Sequence, residues 1–350
     1  MSDDEVISAE IAEEWSEANN RRTALGFLQN TTVMAGILVT LFISSTFMYF
    51  YLGEEPVDYG TSLTYDQDRT RGYVEDLLEL GHPDWYGRMS GTAEEQATAE
   101  YINNVFEELG YQSTLHTYEV PMHSVNSEPS LRVCTPGAAG GFGIVPCSPA
   151  DVGQQVTTLN HRMDYVIQGF SGQSSFSFGD NIEVVYLGDG SDDSLWASAA
   201  GKVGYLVGGG SVSGNTDIMV RAIENDLASI IRVNKNYNCG LIEGNDCVPI
   251  FKGTSHSAII EANGGSMPTD MAFIAMSKDA GEILESVVIN GSGRLEMIMD
   301  VTNDQELTIR VPCGTYYGAS SELLIVGGHH DTVYHAPGAV DDTSGTATVL

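Results

Sequence analysis

Between Val33 and Leu52 the chain runs for 20 residues without a charged side chain. A helix of that length covers the ~30 Å hydrocarbon core of a bilayer. Tyr49 and Tyr51 fall at one end of it, where an interfacial aromatic belt is expected. A secretory signal has an apolar core of only about 7–15 residues and a small-residue cleavage site. Gly53-Glu54-Glu55-Pro56 offers no such site. Residues 25–52 are therefore expected to form an uncleaved transmembrane helix. A buried helix of a soluble domain would be equally apolar, but it would not directly follow an acidic tail such as residues 1–24. Arg21 and Arg22 precede the run, and no basic residue follows it before Arg69. The positive-inside rule then puts the N-terminus in the cytoplasm and the rest of the chain outside the cell. Residues 53–66 read as a polar linker.

Charge narrows the partners. Of 350 residues, 15 are Lys or Arg and 48 are Asp or Glu, a formal net charge of −33. Phosphate-rich partners would be repelled, which excludes nucleic acid. Adhesion to an anionic membrane surface is disfavoured for the same reason, leaving the single N-terminal helix as the membrane contact. A salt-tolerant or extracellular surface has this composition, and so does a plain acidic enzyme.

Beyond the linker the chain reads as α/β. Arg71 to Leu80 shows a helical apolar face closed by Gly81 and Pro83. Thr92-Ala-Glu-Glu95 fits a capping box, and Ala97, Tyr101, Ile102, Val105, Phe106 and Leu109 follow at helical spacing up to Gly110. Tyr111 to Val120 reads as a strand. Residues 121–180 are rich in proline and glycine, as a connection between domains would be. The run Gly137 to Gly143 lacks the strand and the Lys-Ser/Thr of a phosphate loop. From Ile182 a second α/β pattern begins. Strands are expected at Ile182–Leu187, Lys202–Val207, Ala228–Val233 and Ala272–Met276. Helices are expected at Ser194–Ala200, Asp217–Asn225 and from Ser277 to Val287. Arg294–Thr302 and Glu306–Val311 then read as two strands returning to the first sheet.

Five cysteines are present, and none forms a Cys-x-x-Cys pair, which excludes a zinc ribbon or thioredoxin motif. Outside the cytoplasm disulfides are permitted. Cys134–Cys147 and Cys239–Cys247 are expected, each closing a polar loop, with Cys313 left over.

Metal chemistry gathers at the far end. Leu323 to Val326 is a continuous apolar run bounded by Gly327-Gly328, which reads as a buried parallel strand. Ligand sites in open α/β sheets form beyond the carboxyl ends of such strands. His329, His330 and Asp331 stand there, and Asp341 and Asp342 follow. Each cluster alone could be a hydrogen-bonded loop or a solvated turn. Imidazole beside carboxylate is a donor set suited to zinc, and a carboxylate two residues on can hold the other ring nitrogen.

Gly328-His329-His330-Asp331 and Pro337 to Gly345 resemble the first two metal-site motifs of the M28 family of zinc aminopeptidases and carboxypeptidases. Arg88 to Glu95 and Leu109-Gly110-Tyr111 are similar to the start of the same catalytic domain. The resemblance implies a zinc-exopeptidase-like sheet flanked by helices, peptide or protein substrates, and two zinc ions. It makes His329 a ligand, Asp341 a bridge between the ions, and Asp331 the catalytic residue that orients His329. His330 and Asp342 become neighbours behind the ligands, with a cis peptide at Asp341-Asp342. The phrases around Ala200 to Val207, Ala222 to Ile231 and Phe273 to Leu284 resemble a protease-associated (PA) domain, smaller and inserted into the catalytic one. The implied division is 67–154 for the first part of the peptidase domain, 155–288 for the insert and 289–350 for the second part. The family's general-base Glu and remaining zinc ligands have no counterpart before Leu350. The catalytic sheet is thus expected to be incomplete, and the chain to be a truncated, inactive piece of a membrane-anchored aminopeptidase. A related carboxypeptidase or glutaminyl-cyclase-like enzyme would share these ligands. A non-catalytic receptor of transferrin-receptor-like architecture would have lost them.

Overall fold

The computed structural model describes residues 65–135, 138–139, 143–144, 155–208, 214–234, 249–290 and 294–350. The acidic tail, the apolar run and all but the end of the linker lie outside the described residues, as do Cys147, Cys239 and Cys247. Among the described residues no helix is long and apolar enough to cross a membrane. Everything below belongs to the compact unit Asp66–Leu350.

Two helices open it. Helix α1 (Gln67–Glu79) is capped by Asp66, whose carboxylate accepts from the Arg69 N–H at 3.0 Å. Helix α2 (Ala93–Glu108) is capped by Thr92, which accepts from the Glu95 N–H at 3.3 Å. Only half of the expected capping box forms. The Thr92 N–H donates to Met89 O, while the Glu95 carboxylate turns to Arg310 and His330. Ala99, Ile102, Val105 and Phe106 bury the helix's inner face.

Strand β1 (Gln112–Val125) leaves this layer as one arm of a long antiparallel ribbon. Strand β2 (Ser130–Thr135) and the short pair β3 (Ala138–Ala139) and β4 (Gly143–Ile144) follow. Next come β5 (Gln155–Leu159), β6 (Tyr165–Ile167), β7 (Ser174–Phe176), β8 (Val184–Tyr186) and helix α3 (Asp193–Ser198). Strand β9 (Val203–Val207), helix α4 (Asn215–Glu224), β10 (Ser229–Val233), α5 (His256–Ala262), β11 (Ala272–Met276) and α6 (Lys278–Asn290) continue the alternation. Strand β12 (Arg294–Met299) leads into β13 (Val301–Thr315), the second arm of the ribbon.

Strands β6-β11-β10-β9-β8 form a five-stranded sheet, parallel except for β6. Its middle strands are buried on both faces, which explains the near-continuous apolar runs that made them readable. Strands β5-β2-β12-β7 form a second, antiparallel sheet.

Two expectations change here. Arg294–Met299, assigned above to the catalytic sheet, pairs instead with Ser130–Thr135 and Ser174–Phe176. The paired strands between the ribbon arms thus reach from Ser130 to Met299, beyond the 155–288 expected for the insert. Strand partners are chosen by contacts distant in sequence, and Leu295, Met297 and Met299 fill the core shared with Leu131 and Val133. The second change concerns Leu323–Val326. The run is neither a strand nor buried. It pairs with no strand among the described residues, and Leu324 is 87% exposed. An apolar run becomes a central strand only where neighbouring strands cover its edges and faces, and the described residues supply none here.

Candidate metal centre

The two motifs meet because the chain folds back between them. After His329 and Asp331 it dips inward through Thr332 and Tyr334, both buried, then returns at Pro337. Gly338 makes the reversal at φ +60°, a left-handed conformation in which a side chain would also strike Thr332. A kinked turn (Ala339–Thr343), whose backbone is non-helical at Asp341 and Asp342, leads into helix α7 (Ser344–Val349). The Asp341–Asp342 peptide bond is cis. Gly345 lies so close to Asp342 that a Cβ there would sit inside van der Waals contact of the carboxylate.

His329 is the hub. Its Nε2 lies 3.1 Å from Asp341 Oδ1, and its Nδ1 lies 3.2 Å from Asp331 Oδ1 and 3.0 Å from the Asp331 carbonyl. Its backbone N–H donates to Asp342 Oδ2 at 3.2 Å, and Thr346 Oγ1 donates to its carbonyl at 2.8 Å. Partial burial draws the His329 imidazole down. The backbone hydrogen bond to Asp331, the Asp331 charge and the Asp341 carboxylate outweigh this and leave it above its ordinary value. Carboxylates thus face the ring on both sides, and Asp341 is open to solvent.

The donor set fits a zinc ion. Among the described residues no group of three or more His, Cys, Asp or Glu side chains encloses a cation position. Two donors do converge. Adjacent ligands of a tetrahedral zinc with bonds of about 2 Å stand about 3.3 Å apart, and His329 Nε2 and Asp341 Oδ1 stand at 3.1 Å. With Asp331 on Nδ1, His329 is left with Nε2 as the nitrogen that faces Asp341, the arrangement in which a carboxylate fixes a ligand histidine.

His330 points the other way. Its Nε2 lies 3.2 Å from Glu95 Oε1, away from the His329–Asp341 pair.

Three participants escaped the sequence reading. Ser90 Oγ donates to Asp331 Oδ2 at 2.6 Å. Arg88 is fully buried and reaches both motifs: its guanidinium donates to Thr343 Oγ1 at 2.6 Å and Pro337 O at 3.1 Å in the second, and to His330 O at 3.5 Å in the first. Its backbone also exchanges hydrogen bonds with Thr332. Burial lowers the Arg88 pKa, partly offset by the nearby Asp331 charge. Glu95 is 1% exposed and accepts from Arg310 through both the backbone N–H and Nη1, each at 2.9 Å. Glu95 had a signal, since helical spacing puts it on one face with Ala99, Ile102 and Phe106. Arg88 and Ser90 lie in the stretch Arg88 to Glu95 whose family resemblance was noted above, but no periodicity or spacing marked them for a role.

Among the disulfide candidates, Cys134 is disulfide-bonded and Cys313 is free and exposed.

The α/β scaffold thus holds a histidine and an aspartate face to face at a loop-and-helix corner. Residues 313–350 match the model of peptidase family M28. No curated protein sequence matches the chain. Among solved structures, a zinc aminopeptidase from Bacillus subtilis is similar over 82% of this chain, at 16% identity and a TM-score of 0.54. A peptidase M28 precursor from Shewanella amazonensis is similar over 79%, at 15% identity and a TM-score of 0.53. At these identities the likeness is one of fold. The chain spans 57% of the length of each.

Proposed function

We propose that this chain belongs to a zinc exopeptidase that removes N-terminal residues from peptides. The observation that carries the reading is the His329 Nε2–Asp341 Oδ1 approach at 3.1 Å, with Asp331 on the opposite ring nitrogen. His329 and Asp341 hold zinc in this reading. Bound zinc supplies Lewis acidity toward a scissile carbonyl and activates water near neutral pH. Asp331 fixes the His329 ring, and Asp342 secures the His329 backbone. Arg88 ties the Asp341 segment, through Pro337 and Thr343, to the His329 segment, through His330 and Thr332. The net charge of −33 favours a substrate that presents a positive α-amine over one that presents a carboxylate.

The same reading places the enzyme at a membrane, anchored by residues 25–52, with its catalytic part outside the cytoplasm. A disulfide at Cys134 supports an oxidising compartment. The α/β body between the ribbon arms is read as a PA-like domain, on the strength of its sequence phrases and its parallel sheet.

The test is hydrolysis by the full-length protein of a free-amine aminoacyl anilide beside its N-blocked counterpart. The reading expects cleavage of the free amine only, lost with a chelator and restored by zinc. Cleavage of the blocked substrate, or turnover indifferent to chelation, contradicts it.

A further inference from the structure

Between the ligand residues His329 and Asp341 the chain makes its inward dip, and the deepest point of the dip is Tyr334. Its side chain is 4% exposed and shares the hydrophobic core of the α/β body with Tyr165, Ile167 and Ile274. A residue of the metal loop is therefore packed inside the neighbouring body. The contact is polar as well as apolar. Tyr334 Oη accepts from the Ile167 N–H at 3.0 Å and lies 2.9 Å from His161 Nε2. His161 Nδ1 lies 3.1 Å from Glu128 Oε1, and the Trp85 indole N–H donates to Glu128 Oε2 at 2.8 Å.

The proton order along this chain follows from its ends. A carboxylate offers only acceptors, so His161 carries its hydrogen on Nδ1 and presents Nε2 as an acceptor. Tyr334 then donates to His161 while accepting from Ile167. Every donor and acceptor along the line has one partner, which low-dielectric surroundings reward and which a single deletion breaks. Burial lowers the His161 pKa against the pull of Glu128, and burial raises that of Tyr334. Neighbours reinforce the grip. Arg162 Nε donates to the His335 carbonyl at 3.0 Å, and Trp85 and Phe251 pack edge-on against the Tyr334 ring.

We propose that Tyr334, His161 and Glu128 are positioning residues for the metal loop, through which the α/β body sets the spacing of His329 and Asp341. Neither ligand touches that body through its own contacts given above. The segment joining them does. The body therefore contributes to the geometry of the metal pair and is more than a wall beside it. This inference rests on the zinc reading above, and its test separates the two.

The experiment measures zinc affinity by chelator competition in the full-length protein. The variants are Tyr334→Phe, His161→Gln, His329→Ala and Ile218→Val, the last a truncation in helix α4 within a core cluster that does not include Tyr334. Unfolding is followed in parallel, with amide exchange at Ile167 reporting whether the Tyr334 contact is open. Loss of a supporting hydrogen bond behind a metal ligand costs about 10–100-fold in affinity. Tyr334→Phe and His161→Gln are expected to weaken zinc binding about ten-fold, while Ile218→Val lowers stability and leaves zinc affinity unchanged. Wild-type affinity in Tyr334→Phe, with binding abolished in His329→Ala, overturns the positioning role and spares the zinc site. Equal weakening in Ile218→Val also overturns it, since the effect then follows stability alone. If Tyr334→Phe does not fold, His161→Gln decides by the same criteria. A wild-type protein that takes up no zinc overturns the zinc reading and this inference with it.

Discussion

The hydroxyl of Ser90 donates to Asp331 at 2.6 Å, on the carboxylate oxygen that His329 does not use. Asp331 is thus held from both sides, by the segment leading into α2 and by the histidine it orients. Removing the hydroxyl leaves Asp331 free to rotate away from His329 Nδ1. Ser90→Ala is expected to weaken zinc binding several-fold while lowering stability by only about 1 kcal/mol, the worth of one hydrogen bond. Chelator competition and urea unfolding measure the two effects separately. Asp331→Ala should show the larger loss of zinc.

Glu95 secures the ribbon to the motif helix layer from a buried position. Its carboxylate holds Arg310 twice and His330 once. Glu95→Ala leaves the Arg310 guanidinium without its buried partner, which costs about 3–5 kcal/mol. Glu95→Gln keeps an acceptor and should lose less. Denaturant midpoints of the two variants against wild type check the ranking.

His123 on β1 is buried, and neither ring nitrogen has a hydrogen-bond partner among the described residues. Desolvation pushes its pKa down to about 4. The folded value lies below the ordinary one of about 6.5. The unfolded chain therefore binds the proton first, and stability falls as pH drops from about 6.5 toward 4. By linkage the loss from His123 alone is about 2 kcal/mol at pH 5. His335, also lowered to about 4 by burial, adds to it in the same direction. Thermal melts at pH 7 and pH 5 should show the drop, and His123→Phe should shrink it.

Cys134 and Cys313 should behave oppositely toward thiol reagents. Cys313 is exposed and free, so it is alkylated in the native protein. Cys134 is fully buried and disulfide-bonded, so it reacts only after reduction and unfolding. Cys134→Ser is expected to cost about 2–5 kcal/mol, read as a shift in the urea midpoint.

What could be read in advance follows the range of the forces involved. Helix α2 and strand β11 are written in local periodicity, and the residues expected there form them. The meeting of the two motifs was legible because each is short and local, and Asp331 and Asp341 do lie within hydrogen-bond reach of His329. Long-range pairing was not legible. Arg294–Met299 has the same alternation whichever sheet it joins, and only the match with Ser130–Thr135 decides. Leu323–Val326 looks like a buried strand from composition alone, yet burial depends on neighbours that the run does not encode. Arg88 shows the same limit at the site. A charged side chain before a helix reads as solvated, while its partners Pro337 and Thr343 lie some 250 residues away in sequence.

The central claim is that His329 and Asp341 share a zinc ion. X-ray absorption at the zinc edge of the full-length protein, with metal content measured on the same samples, tests it most directly. The account predicts bound zinc with histidine-type nitrogen at about 2 Å, with that imidazole signal reduced in His329→Ala and zinc content reduced in Asp341→Asn. Zinc that is absent from the wild type, or held unchanged by both variants, would contradict it.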